Sequence, residues 1–319
     1  MSNTVFVIAE QQQGKFDDIT FEMLGKGREL ASALGGEVVA VLAGHSVKDM
    51  AGQLGAASKV ICIDSPALAN FSPEAYVKTI SAVISAHKPR VVLTGYTSIG
   101  MEIGPALSVR NQLSLVSFVS AITVSGGSIS AVSQLYGGKM NVESVVEGGS
   151  AVLAILPGMF PAEAGRQSGS PAVEDFAAPD LDGLSVTFRK LIAPEAGDVD
   201  ITAQDVLLSV GRGIQSEENL PIVNDLAAKL GGAVSCSRPL VDNKWMPKTR
   251  QVGKSGLKVK PRLYLALGIS GAPEHIEGMK DAGLIIAVNS DPKAPIFDYA
   301  HYGVVGDLFD LIPAMSEKL

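Results

Sequence analysis

Several short stretches in the last third of this 319-residue chain place reactive or charged side chains directly after an apolar run. Gly211-Arg212-Gly213 follows VLLSV, Ser237-Arg238 follows AVSC, Gly268-Ile269-Ser270-Gly271-Ala272 follows LYLAL, and Asn289-Ser290-Asp291 follows LIIAV. The glycines let backbone approach a ligand closely, and Arg212 offers a planar charged fork suited to phosphate. Strand, small-residue turn, helix, strand is how a parallel sheet aims backbone N–H groups and a helix N-terminus at an anion. The spacing is not G-x-G-x-x-G, and no lysine follows the glycines as a P-loop requires. A nucleotide or phosphate-bearing cofactor at the strand ends is expected, held by a less common motif. In QVGKSG (Gln251–Gly256), Gly253 and Gly256 allow a tight turn, and Gln251 and Ser255 can hydrogen-bond a heterocycle. On residue type alone, Ser237-Arg238 also reads as a surface turn, His275 as a satisfied histidine and Lys254 as a solvated lysine.

These residues carry a resemblance. QVGKSG, then LYLALGISGAPEHIEGM, then VNSDPKAPIFDYAHYGVVGDLF, preceded by VGRGIQSEENLPIVNDLAAKLGGAVSCSRPLVDNKWMP, occur in order over roughly the last third of the chain. They resemble the C-terminal, FAD-binding half of the alpha subunit of electron transfer flavoprotein; the first two-thirds is similar only in general layout. The resemblance implies an FAD bound by the following residues. Arg212 contacts FAD, and Ser237 and Arg238 border the flavin, with Arg238 near the isoalloxazine ring. Gln251, Val252, Gly253 and Lys254 line it, and the Ser255 hydroxyl reaches flavin N5. Gly268, Ser270, Gly271 and Ala272 border the flavin and ribityl chain. His275 donates to flavin O2, so that Arg238 and His275 make cationic surroundings for a reduced flavin. Asn289 and Asp291 lie by the adenosine half, and Asp307 and Leu308 on the adenine side. Lys254-Ser255 stands where the family usually has Gln-Thr, and Pro273-Glu274 where it has Ile-Gln.

The elements that must position these residues follow from hydrophobic periodicity. Thr4–Glu10, Glu37–Gly44, Lys59–Asp64 and Pro89–Gly95 read as buried strands, alternating with helices at Phe21–Leu34, Val47–Ala56 and Pro73–His87. Such alternation predicts a doubly wound, mainly parallel sheet. Tyr96–Arg110 opens another helix, where Thr97, Ser98 and Gly100 read as an N-cap or a ligand loop. Ser117–Arg189 shows short alternating runs expected to complete the first sheet as antiparallel strands, with a hairpin turn at Gly137-Gly138 between Tyr136 and Lys139. Pro161–Gly183 reads as an exposed loop, and Ala193–Gln204 as an interdomain linker. The fold class is therefore α/β, with an N-terminal subunit-interface domain over 1–192 and an FAD domain over 203–319. The resemblance gives the second a flavodoxin-like or deoxyhypusine-synthase-like layout.

Composition is consistent with this. A single core usually stops growing near ~250 residues, so 319 residues suggest two domains. Apolar residues make up 46% and aromatics 5%, a lean mixture suited to strands buried on both faces. A net charge of −7 argues against a nucleic-acid surface. Cys62 and Cys236 lack any CxxC or histidine neighbour and read as buried free thiols. With no leader pattern and no long apolar run, a cytoplasmic location is expected and no metal is implied. The resemblance implies an electron carrier that performs no bond chemistry of its own. Its implied partners are the electron transfer flavoprotein beta subunit and an acyl-CoA dehydrogenase or similar flavoenzyme. A membrane quinone oxidoreductase or a ferredoxin is a further candidate. A variant is a bifurcating complex, in which a second FAD in the beta subunit takes hydride from NADH. The competing class is an NAD-binding enzyme of deoxyhypusine-synthase-like fold, for which Lys254 is the only candidate nucleophile.

Overall fold

The computed structural model describes residues 3–136, 138–167, 169–190 and 199–319. The chain divides into two compact units, Met1–Lys190 and Leu191–Leu319. In the first, β1 (Val5–Ile8) leads into a small hairpin of β2 (Gln11–Gln12) and β3 (Lys15–Phe16). Then come α1 (Asp18–Leu34), β4 (Val38–Gly44), a 3-10 segment at Lys48–Leu54, β5 (Lys59–Asp64), α2 (Pro73–His87), β6 (Val91–Gly95) and α3 (Ser98–Asn111). The unit continues with β7 (Ser114–Ser125), β8 (Ser128–Leu135), β9 (Met140–Val146), β10 (Ala151–Ile155) and β11 (Ala172–Asp175).

Among the described residues these form a nine-stranded sheet, ordered β11-β5-β4-β1-β6-β10-β7-β8-β9. It is parallel from β11 to β7 and antiparallel from β7 to β9. Helices cover both faces, so the central strands are apolar at successive positions: Val5 and Val7 join one core cluster, Phe6 and Ile8 the other. The alternation predicted up to residue 111 is present. The expected Val47–Ala56 helix is a 3-10 segment, and α1 starts before Phe21, with Asp18 in its first turn where the helix dipole favours an acid.

Three expectations for residues 117–189 are corrected. AVLAI, β10, is not antiparallel but lies parallel between β6 and β7, buried at every position. Its uninterrupted apolar run, as opposed to alternation, is the signature of a central parallel strand. The expected loop Pro161–Gly183 contains β11, which pairs with β5. This short edge strand carries charges that ion-pair, Glu174 with Lys59 of β5 at 2.7 Å and Asp175 with Lys48 of the 3-10 segment at 2.6 Å. Residues 184–190, read as part of a strand, form none. The β8–β9 hairpin turns where expected, although Gly137 itself lies outside the described residues. Of the expected linker, 193–198 lies outside them too; beyond it, Asp200 caps a 3-10 turn and Ile201 is fully buried in the second unit's core.

The Thr97 loop resolves in favour of the cap. Thr97 Oγ1 accepts the Gly100 N–H at 3.0 Å and donates to Glu10 Oε2 at 2.5 Å, while Gly95 N–H donates to Glu10 Oε1 at 3.0 Å. Glu10 is 2% exposed, and it sits at the carboxyl ends of β1 and β6, where the strand order of this sheet reverses. Burial, offset in part by the Thr97 and Gly95 hydrogen bonds and reinforced by Asp17, raises its pKa to about 7.

The second unit runs β12 (Val206–Val210), α4 (Leu220–Lys229), β13 (Ala233–Cys236), α5 (Arg238–Asp242), β14 (Leu263–Leu267), α6 (Pro273–Ile276), β15 (Leu284–Asn289), β16 (Tyr302–Val305) and α7 (Leu308–Lys318). Its sheet is parallel throughout, ordered β13-β12-β14-β15-β16. Counted within the unit this is 2-1-3-4-5, the flavodoxin-like order, with its switch point between β12 and β14. One core cluster centres on Tyr264 and Ile276, the other on Val223 and Leu267. Both cysteines are buried free thiols, and burial pushes Cys236 up to about 12. Among the described residues no helix is long and apolar enough to cross a membrane.

Candidate functional site

Because all strands of the second sheet point the same way, their carboxyl ends share one edge. From that edge emerge Arg212 after β12, Ser237 and Arg238 after β13, Gly268 to His275 after β14, Asn289 and Asp291 at the end of β15, and Asp307 and Leu308 after β16. The Gln251–Ser255 segment joins them through backbone. Val252 N–H donates to the Cys236 carbonyl at 2.9 Å, and Lys254 N–H to the Glu274 carbonyl at 2.7 Å. Every residue predicted for the cofactor thus comes to this one edge, from segments far apart in sequence.

At the switch point the β12 and β14 loops interlock through glycines. Gly211 N–H donates to the Leu267 carbonyl at 2.8 Å and Gly213 N–H to the Gly268 carbonyl at 3.1 Å. Gly268 has φ +64°, and a Cβ there would lie 2.7 Å from Gly213 Cα, so only glycine fits. Gly271 is held equally close, with φ +88°, because Ser270 carbonyl accepts the Ile296 N–H at 3.0 Å.

The side chains sort by whether local structure has already used them. Asn289 spends its amide on the loops, donating to the Ile269 carbonyl and accepting the Asp291 N–H, each at 2.9 Å. Asp291 accepts the Lys293 N–H, and Asp307 caps α7 through the Phe309 N–H. Leu308 is buried against Gly268. These four hold the edge together. Gln251, buried, donates from Nε2 to Ser255 Oγ at 2.8 Å, which leaves the exposed Ser255 hydroxyl its own proton to donate. Ser237 is at the start of α5 but its side chain makes no cap bond. Arg212, Lys254, Ser270, Ala272, Pro273 and Glu274 are exposed, and Arg238 is exposed beside Asp242, its Nε 3.4 Å from the carboxylate. Trp245 packs, partly buried, on the α4 side of the sheet.

His275 differs from these. It is 6% exposed, its Nε2 lies 2.8 Å from Tyr264 Oη, and its Nδ1 is buried with no hydrogen-bond partner. Burial, opposed by the Val252 backbone, lowers its pKa to about 4. His275 is therefore neutral at pH 7, which corrects the expectation that it adds cationic character; Arg212 and Arg238 supply the fixed charge. An orphaned buried nitrogen, two exposed guanidiniums, a free hydroxyl donor and glycine-tight loops form a donor set that fits FAD. Sequence reasoning missed Tyr264. Its signal was a polar aromatic inside an aliphatic strand, next to β12 with its Ser209, which in turn pairs in register with Ser235 of β13.

Two family models match the chain: the electron transfer flavoprotein domain over residues 5–181, and the electron transfer flavoprotein FAD-binding domain over residues 200–280. Together with the fold and its edge they define a flavoprotein of electron transfer. A Thermoanaerobacterium thermosaccharolyticum protein named electron transfer flavoprotein subunit alpha is 35% identical, over 99% of this chain and 97% of its own. An Anaerotignum propionicum protein named acryloyl-CoA reductase electron transfer subunit beta is 33% identical, over 99% and 95%. An Acetobacterium woodii protein named lactate dehydrogenase (NAD(+),ferredoxin) subunit LctC is 31% identical, over 98% and 75%. The chain belongs to the electron transfer flavoprotein family, with the alpha subunits; it is an electron-transfer subunit, and FAD is its cofactor. Asn289, Asp291, Asp307 and Leu308 lie beyond the stretch matched by the FAD-binding model.

Proposed function

We propose that FAD lies along the carboxyl edge of the second sheet and that this chain carries electrons between flavoenzymes as one half of a heterodimer with a beta subunit. The observation that carries the reading is His275, a neutral, buried histidine with an orphaned ring nitrogen on an edge whose cations, Arg212, Arg238 and Lys254, are exposed. When bound, FAD supplies the reversible uptake and release of electrons. Arg212 and Arg238 offset phosphate and flavin charge, the Ser255 hydroxyl donates to a ring nitrogen, and His275 donates to an oxygen where negative charge gathers on reduction. The glycine contacts at Gly213 and Gly268 keep side chains out of the crevice so that backbone N–H groups reach the diphosphate. An acyl-CoA dehydrogenase is the donor we favour, and a membrane quinone oxidoreductase or a ferredoxin the acceptor.

The test is a visible spectrum of the chain coexpressed with its beta subunit, recorded during stepwise dithionite reduction. One flavin that takes up electrons in two resolved steps supports the reading, and a colourless protein that binds NAD overturns it. The name of the Acetobacterium woodii relative favours a second outcome, a further flavin reducible by NADH, which marks a bifurcating complex. Replacing His275 by alanine lowers the first reduction potential by about 60 mV, the equivalent of one charge-assisted hydrogen bond of ~1.4 kcal/mol. An unchanged potential removes His275 from the site.

A further inference from the structure

We propose that Tyr264 is a positioning residue that fixes His275 in a single tautomer, with Nε2 accepting and Nδ1 carrying the proton. This rests on the reading of the edge as the FAD site. Tyr264 is fully buried on β14, with its Oη 2.8 Å from His275 Nε2 and the two ring centroids 6.2 Å apart. A buried phenol must place its one proton on an acceptor. The other polar groups facing it are the hydroxyls of Ser209 on β12 and Ser235 on β13, strands that pair in register at those two serines. Both lie close enough to the phenol for hydrogen bonding to oppose the upward push of burial on its pKa, yet neither hydroxyl has a partner in strict hydrogen-bond geometry. His275 Nε2 is the acceptor that remains.

A neutral imidazole that accepts at Nε2 carries its proton on Nδ1. That nitrogen has no partner in strict hydrogen-bond geometry, although the Val252 backbone lies close enough to oppose the effect of burial on the ring. An unpaired buried N–H is costly, so the arrangement stores a donor for a group that the chain itself does not provide. The phenol therefore does for His275 what a carboxylate or backbone carbonyl does for histidines at other sites: it decides which nitrogen gives and which receives. With phenylalanine at position 264, nothing in hydrogen-bond range would enforce that choice.

The experiment uses the FAD-loaded heterodimer with 15N-labelled histidine in this chain. Two-bond 1H–15N correlation distinguishes the tautomers, and His275 is assigned by the signals lost in His275→Asn. The wild type should show the Nδ1–H pattern, and Tyr264→Phe should bring that form from roughly tenfold excess to near parity, the ratio one buried hydrogen bond supports. The first reduction potential of Tyr264→Phe should fall toward that of His275→Ala, while Ser209→Ala and Ser235→Ala keep the wild-type pattern. A wild-type protein in the Nε2–H form, or an unchanged pattern in Tyr264→Phe, overturns the proposal. The first of these needs only the assignment variant His275→Asn to fold, not Tyr264→Phe. A tautomer shift in either serine variant also overturns it, by giving the phenol proton another acceptor. Comparison of FAD-loaded with FAD-stripped protein separates the two readings. His275 signals that do not move on stripping refute the placement of FAD, whatever Tyr264 does to the tautomer.

Discussion

Replacing Gly268 by alanine is expected to abolish FAD retention while leaving the first unit intact. The residue holds φ +64°, where a Cβ is strained, and the added carbon would sit 2.7 Å from Gly213 Cα, which is backbone and cannot turn aside. Left-handed strain and overpacking together cost roughly 3 kcal/mol or more. The relaxation available is separation of the β12 and β14 loops, which breaks the Gly213 N–H bond to the Gly268 carbonyl and opens the switch point. The visible absorbance of the purified heterodimer, scaled to protein, measures the loss. A fully yellow Gly268→Ala protein would show that the glycine interlock has no part in holding the cofactor. Gly14→Ala is the matched control, since its φ is +76° but nothing lies within 4 Å of a Cβ there.

Replacing Glu10 by glutamine should flatten the pH dependence of stability. The Glu10 pKa is about 7 in the folded chain against an ordinary 4.5, so above pH 4.5 the unfolded chain has released a proton that the native state still binds. A raised carboxylate pKa gives stability that is full below the unfolded value and is lost as pH rises through the folded one. The displacement corresponds to about 3 kcal/mol, lost between pH 4.5 and pH 8. Glutamine keeps an acceptor for the Gly95 N–H and carries no charge. The variant should therefore gain on the wild type as pH rises, seen as the difference in urea midpoint at pH 5 and pH 8 by circular dichroism. Equal midpoint differences at both pH values would mean that Glu10 titrates alike in folded and unfolded chains.

Much of this was readable before any coordinate. Uniform apolar runs such as VVAVLAG announce strands buried on both faces, and their spacing by helical stretches announces parallel order. Parallel order alone then gathers Arg212, Arg238, Ser270, His275 and Asn289 on one edge. What sequence could not carry was non-local. Nothing in AVLAI says that it slots between β6 and β7, and AVED is too short and charged to read as a strand until Lys59 and Lys48 face it. Glu10 reads as the polar end of a strand, because its partners Gly95 and Thr97 are distant in sequence. His275 reads as a satisfied histidine on residue type and as a cation near a flavin only through the resemblance, and the residues that bury it are not its neighbours. Asn289 and Asp307 look like ligand contacts, and what their sequence does not show is that their side chains also tie the turns that shape the edge.

The packing of Leu308 beneath Gly268 has a consequence for the order of events in the cell. A ribosome that has made β12 through Asp291 has built every polar group of the edge but Asp307, and not yet the side chain that backs its central turn. Strand pairing in a parallel sheet must wait for all its members, and α7 docks only after β16 has joined. FAD thus meets a finished crevice only once Leu308 has cleared the exit tunnel. Colour in a nascent-chain experiment should appear only after Leu308 has emerged, making the cofactor a reporter of α7 docking.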